Sequence, residues 1–169
     1  MAENTPYGTN SSNHVVKRLG KSKLELKRRT LFDENADFKK IFTEFKEANV
    51  DGLLLLSVAN AQLIKIVEAY REVKATFPIV GVAALAKSEV LKALGEKANG
   101  LYIITDVVPG EHERYNLFHK SFVEMHGKNP DPLMTPFVYD AARLIGEAIK
   151  NITGRPNRES IRDGLLKVN

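Results

Sequence analysis

Short continuous apolar runs alternate along this chain with longer stretches in which apolar residues recur every three or four positions. Leu53-Leu54-Leu55-Leu56-Ser57-Val58, Pro78-Ile79-Val80-Gly81-Val82-Ala83 and Gly100-Leu101-Tyr102-Ile103-Ile104-Thr105 are runs of the first kind. They have the pattern of strands covered by helices on both faces. Between them, Ala61 to Val73 predicts a helix with Leu63, Ile64, Val67 and Tyr70 inward. Ser88 predicts the cap of another, running through Ala98 with Val90, Leu91 and Leu94 on its apolar side. Upstream, Asp37 can cap a helix whose Phe38, Ile41, Phe42, Phe45 and Ala48 share one face. Gly8 to Leu19 predicts a helix entered from the Tyr7-Gly8 turn, and Leu24 to Leu31 an alternating strand near an edge. Strands spaced by helices in this way imply right-handed crossovers and a parallel sheet, hence an α/β fold.

The alternation stops after Asp106-Val107-Val108-Pro109-Gly110. Three helices follow, over Glu113 to His126, Thr135 to Ile152 and Arg158 to Lys167, with no strand-like segment among them. The change divides the chain into an α/β region, residues 1–107, and a helical segment, residues 108–169. No internal repeat or low-complexity tract interrupts either part.

The opening residues Ala2 to Thr9 read as the end of a strand, because a Pro-Tyr-Gly turn into a helix normally follows a buried apolar run. That first central strand is expected to be missing. In the common 2-1-3-4-5 order its loss would leave a gap between the strands at 24–31 and 53–58. The later helices carry an apolar stripe, Phe137, Ala141, Leu144, Ile145 and Ala148, with no sheet to cover it. Low stability alone, or self-association that fills both places, is the expected consequence.

Composition narrows the function classes. The 169 residues are 43% hydrophobic and 27% charged, the balance of a globular domain with a core of its own. The net charge of +4 is a mild and mostly scattered excess; its densest run, Lys17 to Arg29, holds seven basic residues and one acid. No aromatic residue interleaves there to stack on bases, so the run predicts a solvated edge and no nucleic-acid partner. There is no cysteine, which excludes disulfides and thiolate metal sites and suits an oxidising compartment. No apolar run approaches a transmembrane length, and nothing resembles a signal peptide.

Candidate chemistry is sparse. His112, His119 and His126 recur along one helix side, but two helical turns separate neighbours by about 10.5 Å, too far to share a metal with bonds of about 2.1 Å. Tyr7-Gly8-Thr9-Asn10-Ser11-Ser12-Asn13 stands at a helix start that can hold an anion, yet lacks the glycines and Lys-Ser/Thr pair of a phosphate loop. Asp33, Glu34 and Asp37 lack the partner acid that a phosphoryl-accepting site needs. Asn10-Ser11-Ser12 and Asn151-Ile152-Thr153 match the glycosylation sequon, a match common by chance. No nucleophile motif occurs, no cofactor is implied, and an enzyme is not expected. What remains is the carboxyl edge of the sheet, where open parallel sheets collect ligands. It offers Tyr7, Ser57, Val58, Ala59, Asn60, Ala83 and Ala84, with Thr105 and Asp106 near the boundary. This set is hydroxyl-bearing and mostly uncharged, a binding wall without acid, base and nucleophile.

Six segments, in order, resemble one family. They are Pro6-Tyr7-Gly8, Asn35-Ala36-Asp37-Phe38, Val50-Asp51-Gly52, Pro78-Ile79-Val80-Gly81, Ala98-Asn99-Gly100-Leu101-Tyr102 and Tyr139-Asp140-Ala141-Ala142. Together they resemble the type I periplasmic solute-binding proteins, in particular the branched-chain amino acid group serving ABC transporters. The resemblance implies two α/β lobes that close on a small solute. Residues 1–107 would then be most of the second lobe and residues 108–169 the helices returning to the first. It implies a fragment of a protein roughly double this length, lacking the first part of the first lobe, the opening strand of the second and a final Gly-rich hairpin.

The resemblance also implies ligand contacts at Tyr7, at Ser57 and Val58, at Ala83 and Ala84, and at Tyr139 from the first-lobe side. In the amino-acid binders the Val58 position is aromatic and the Ala83 position holds a carboxylate for the ligand ammonium. Alanine cannot pair with a cation, and a buried unpaired ammonium costs several kcal/mol. The implied ligand is therefore a small polar metabolite other than a simple α-amino acid, a carboxylate or an amide among them. The implied setting is periplasmic or extracytoplasmic, with delivery to a membrane permease. A cytoplasmic ligand sensor of the same fold is the alternative, and a doubly wound enzyme the remote one.

Overall fold

The computed structural model describes residues 1–105, 110, 112–131 and 134–168. The chain forms two compact units, Met1–Asp106 and Val107–Asn169.

The first unit holds five short parallel strands: β1 (Ala2–Glu3), β2 (Leu31–Phe32), β3 (Leu53–Leu55), β4 (Ile79–Val82) and β5 (Tyr102–Ile104). β1 pairs with β2, and β4 lies between β3 and β5. A bridge between Ala2 and Leu56 joins the two groups, giving the order 2-1-3-4-5. The first central strand, expected to be missing, is therefore present in short form. The Met1 nitrogen donates to Leu54 O at 2.9 Å, Leu56 N to Met1 O at 3.0 Å and Glu3 N to Leu56 O at 3.0 Å. Across β1, Ala2 N donates to Thr30 O at 2.9 Å and Asn4 N to Phe32 O at 2.8 Å. Three residues thus satisfy the backbone on both sides, and the expected gap does not exist. Met1 and Ala2 are too short an apolar run, ending in the acid Glu3, for a reading based on apolar runs to register them as a strand.

Four α-helices flank the sheet: α1 (Pro6–Leu19), α2 (Phe38–Glu47), α3 (Asn60–Glu72) and α4 (Ser88–Leu94). α1 begins earlier than its hydrophobic pattern indicates. Thr5 is its N-cap, accepting from Gly8 N at 3.2 Å, and Pro6 supplies a preset φ at the first turn. Asp37 caps α2 as its position predicts, accepting from Lys40 N at 3.0 Å. α2 buries Phe38, Phe42 and Phe45, and α3 buries Leu63, Ile66, Val67 and Tyr70. These side chains meet Phe77, Ile79, Leu85 and Val90 in a single core. Phe42 lies at its centre, its ring 5.5 Å from Tyr70 and 6.3 Å from Phe77. The Tyr70 hydroxyl donates to Phe77 O at 2.7 Å, so the buried phenol is paired.

Three local expectations change. Leu24 to Thr30 is not a strand, and β2 starts only at Leu31, because this exposed stretch, with Lys27, Arg28 and Arg29, has no buried face. Ser88 is the first residue of α4 and not its cap; α4 ends at Leu94. Gly95, with φ of +52°, breaks it into a 3-10 turn over Gly95–Ala98. On α3 the pattern missed Ile66, which is fully buried, while Ile64 packs partly buried against the core.

The second unit contains α5 (Glu113–His126), α6 (Met134–Lys150) and α7 (Arg158–Leu165). α5 ends at Gly127 in the left-handed region, φ +65°. Phe118 is buried against Phe122 and Tyr139, at 5.9 and 4.9 Å between ring centroids. α6 and α7 cross closely at Ala148 and Gly164, where a Cβ on Gly164 would lie 2.7 Å from Ala148 O. A reciprocal capping box between Asn157 and Ser160 starts α7. Of the α6 stripe only Ala148 is buried; Phe137, Leu144 and Ile145 remain exposed. Among the described residues, no helix is long and apolar enough to cross a membrane.

Candidate functional site

The carboxyl edge of the first unit's sheet is organised around Glu3, which the pattern of apolar positions does not single out. Its carboxylate is buried at the end of β1. Oε1 accepts from the Ser57 hydroxyl, from Val58 N at 2.8 Å and from Ala59 N at 3.0 Å. Ala59 is the N-cap position of α3 and makes no side-chain cap of its own. Glu3 thus supplies, from another strand, the acceptor that the helix start needs. The signal available in the sequence was an acid at the strand end immediately before a Thr-Pro helix start.

Two further links run along the same edge. Asn4 Nδ2 donates to Asp33 Oδ1 at 2.9 Å, tying the end of β1 to the loop after β2. Lys87 Nζ reaches from the segment after β4 to Val58 O at 3.2 Å and Asn60 Oδ1 at 3.0 Å. Asn60 Nδ2 donates in turn to Glu89 Oε2 at 2.8 Å. The loops after β1, β2, β3 and β4 are therefore fixed to one another by side-chain hydrogen bonds.

Against this frame the expected site residues separate. Tyr7, in the first turn of α1, is 42% exposed, and Val58 is 40% exposed; they follow the adjacent strands β1 and β3. Ala83 is half-buried where β4 gives way to the 3-10 turn Ala83–Ala86. These three, with the exposed Ala59 and the half-buried Asn60, are the accessible candidates of the edge. Ser57 is fully buried with its hydroxyl donating to Glu3, and Ala84 lies in the core. Gly81 makes room for the 3-10 turn, since a Cβ there would meet Leu85 Cδ1 at 2.1 Å. Tyr139, in the second unit, packs on Phe118 and lies 5.9 Å from the Arg143 guanidinium. Thr105 follows β5, while Asp106 lies outside the described residues.

The remaining candidates gain no support as chemical centres. His119 stacks on Tyr115 at 6.1 Å and His126 packs on Phe122 at 4.4 Å. Among the described residues, no three His, Cys, Asp or Glu side chains gather as a metal site. A depression of about 400 Å³ lies at the other end of the sheet, lined by Lys46, Asn49, Asp51, Thr76 and Pro78 among others. It faces the amino ends of β3 and β4, away from the edge where helix starts converge.

The whole sequence, residues 1–169, matches the periplasmic binding protein family. The chain belongs to that family. No curated protein sequence matches it. Among solved structures of binding proteins, it is similar to an ABC transporter substrate-binding protein from Sphaerobacter thermophilus, with TM-score 0.85, 19% identity and coverage of 99% of this chain and 47% of the other. It is also similar to a leucine-, isoleucine-, valine-, threonine- and alanine-binding protein from Brucella ovis, with TM-score 0.84, 23% identity and coverage of 96% and 42%. A third is an ABC transporter solute binding protein from R. palustris in complex with benzoate, with TM-score 0.79, 17% identity and coverage of 96% and 45%. This member of the periplasmic binding protein family thus spans about half the length of the solved structures it matches. At these identities the likeness establishes the fold, a type I α/β binding-protein unit.

Proposed function

We propose that this chain is the solute-binding component of an ABC transporter, or a portion of one, acting outside the cytoplasm and delivering a small polar metabolite to a membrane permease. Residues 1–107 would be most of the ligand-binding second lobe, and residues 108–169 helices belonging with the first. Tyr7, Val58 and Ala83 would contact the solute, with Ser57 and Ala84 forming the floor beneath them. The ligand is a solute other than a simple α-amino acid. The observation that carries this is Ala83: the strand-end position bears a methyl group where an ammonium would need a carboxylate. The buried Glu3 acid at the same edge already accepts from Ser57, Val58 and Ala59. A thermal-shift screen against amino acids, amides, and aromatic and aliphatic acids tests the reading. Stabilisation by acids or amides supports it, and a preference for α-amino acids contradicts it.

Copies of the chain would also associate through the exposed α6 stripe. Phe137, Leu144 and Ile145 make an apolar face of the kind that soluble monomers seldom leave uncovered.

A further inference from the structure

We propose that Lys87 is a ligand-contact residue that selects carboxylate-bearing solutes at the carboxyl edge of the sheet. The inference rests on the solute-binding reading above and narrows it from polar metabolites to anions.

Lys87 follows the 3-10 turn Ala83–Ala86 and stands immediately before α4. Its side chain is not directed to an acid. Nζ lies 3.2 Å from Val58 O and 3.0 Å from Asn60 Oδ1, both neutral acceptors. The Asn60 amide is itself oriented by Glu89, which accepts from Nδ2 at 2.8 Å. The ammonium is therefore held in place by the β3–α3 connection and, among the described residues, is not neutralised by direct contact with an acid. An ammonium has three N–H donors, and among the described residues two acceptors account for two of them. The third remains at an edge where the Val58 side chain is open to solvent.

Among the described residues, Glu3, Asp33 and Glu89 at this edge each already accept hydrogen bonds from neighbouring loops. Glu3 Oε1 takes three donors from the β3–α3 loop, Asp33 takes Asn4, and Glu89 takes Asn60. Ala83 contributes no charge. A solute resting on Tyr7, Val58 and Ala83 meets a fixed cation beside Val58 and no acid at Ala83. That arrangement complements a carboxylate and leaves an ammonium without a partner. A charge-assisted hydrogen bond to a pre-positioned donor is stronger than one to a neutral group and loses less side-chain freedom on binding.

The test is isothermal titration of the full chain with benzoate and 4-methylpentanoate, each beside its primary amide, for the wild type, Lys87→Gln and Lys87→Arg. Glutamine keeps a polar group near Val58 and Asn60 and removes the charge. The expected result is a roughly tenfold to hundredfold loss of acid affinity in Lys87→Gln, the span of one charge-assisted hydrogen bond. Amide affinity should stay nearly constant, the melting temperature should change little, and Lys87→Arg should recover much of the acid binding. Unchanged acid affinity in Lys87→Gln overturns the inference. So does a wild-type chain that binds amides as tightly as acids, although solute binding itself then stands. A chain that binds no acid, amide, amino acid or sugar overturns both.

Discussion

Ser57 and Glu3, 54 positions apart in sequence, meet in the interior: the Ser57 hydroxyl donates to Glu3 Oε1 at the carboxyl edge of the sheet. The same oxygen receives Val58 N and Ala59 N, so one carboxylate closes the loop that presents Val58. The edge is preorganised by an acid whose hydrogen bonds belong to the frame of the sheet's carboxyl edge.

Replacing Glu3 should therefore loosen both the fold and the site. Glu3→Ala leaves a hydroxyl and two backbone N–H groups without their acceptor, at about 1–3 kcal/mol for each buried group left unpaired. A net loss of about 2–4 kcal/mol is expected after partial access of water. Glu3→Gln keeps a carbonyl oxygen and should lose less than half as much. Urea denaturation of the three proteins measures this, and equal stability of wild type and Glu3→Ala would remove Glu3 from its proposed place.

Gly8 and Gly146 should respond in opposite directions to alanine. A Cβ on Gly8 would stand 2.1 Å from Glu3 O, a backbone atom that cannot swing aside, whereas nothing lies within 4 Å of a Cβ on Gly146. Gly8→Ala should destabilise by about 1–3 kcal/mol or prevent folding, as overpacking does. Gly146→Ala, in the interior of α6, should stabilise by about 0.5–1 kcal/mol through backbone entropy. Thermal melts of the two variants provide the comparison.

The exposed α6 stripe predicts a concentration-dependent oligomer. Sedimentation velocity should find the wild type heavier than 18.9 kDa and the double variant Leu144→Lys/Ile145→Lys shifted toward monomer, with the first unit's ligand response retained. A wild type that is monomeric at all concentrations would show that this face is not used between copies.

The elements with long, clear periodicity were legible in the sequence. α2 is the best case, since its aspartate cap and its three buried phenylalanines could each be placed from spacing alone. β1 was legible only as the end of a strand before the Pro-Tyr-Gly turn; that it is present and pairs on both sides was not, because Met1, Ala2 and Glu3 make no apolar run of strand length. A strand pairing on both sides gains backbone hydrogen bonds that composition does not display. β2 shrank because alternation over Leu24 to Thr30 was not matched by a surface to cover it. At the site, Tyr7, Val58 and Ala83 follow from the rule that ligands gather at strand ends. The engagement of Ser57 by Glu3, and the reach of Lys87 across to Val58 and Asn60, are tertiary facts with no local signature.

The central claim, that this edge takes a solute without an α-ammonium group, is tested most directly by calorimetric titration with matched pairs. Leucine and 4-methylpentanoate differ only by the ammonium group, as do phenylalanine and 3-phenylpropanoate. With Ala83 unable to pair a cation, the deaminated acid should bind at least about tenfold more tightly in any pair that binds, the equivalent of about 1.4 kcal/mol. Tighter binding of leucine or phenylalanine than of its deaminated partner would contradict the account.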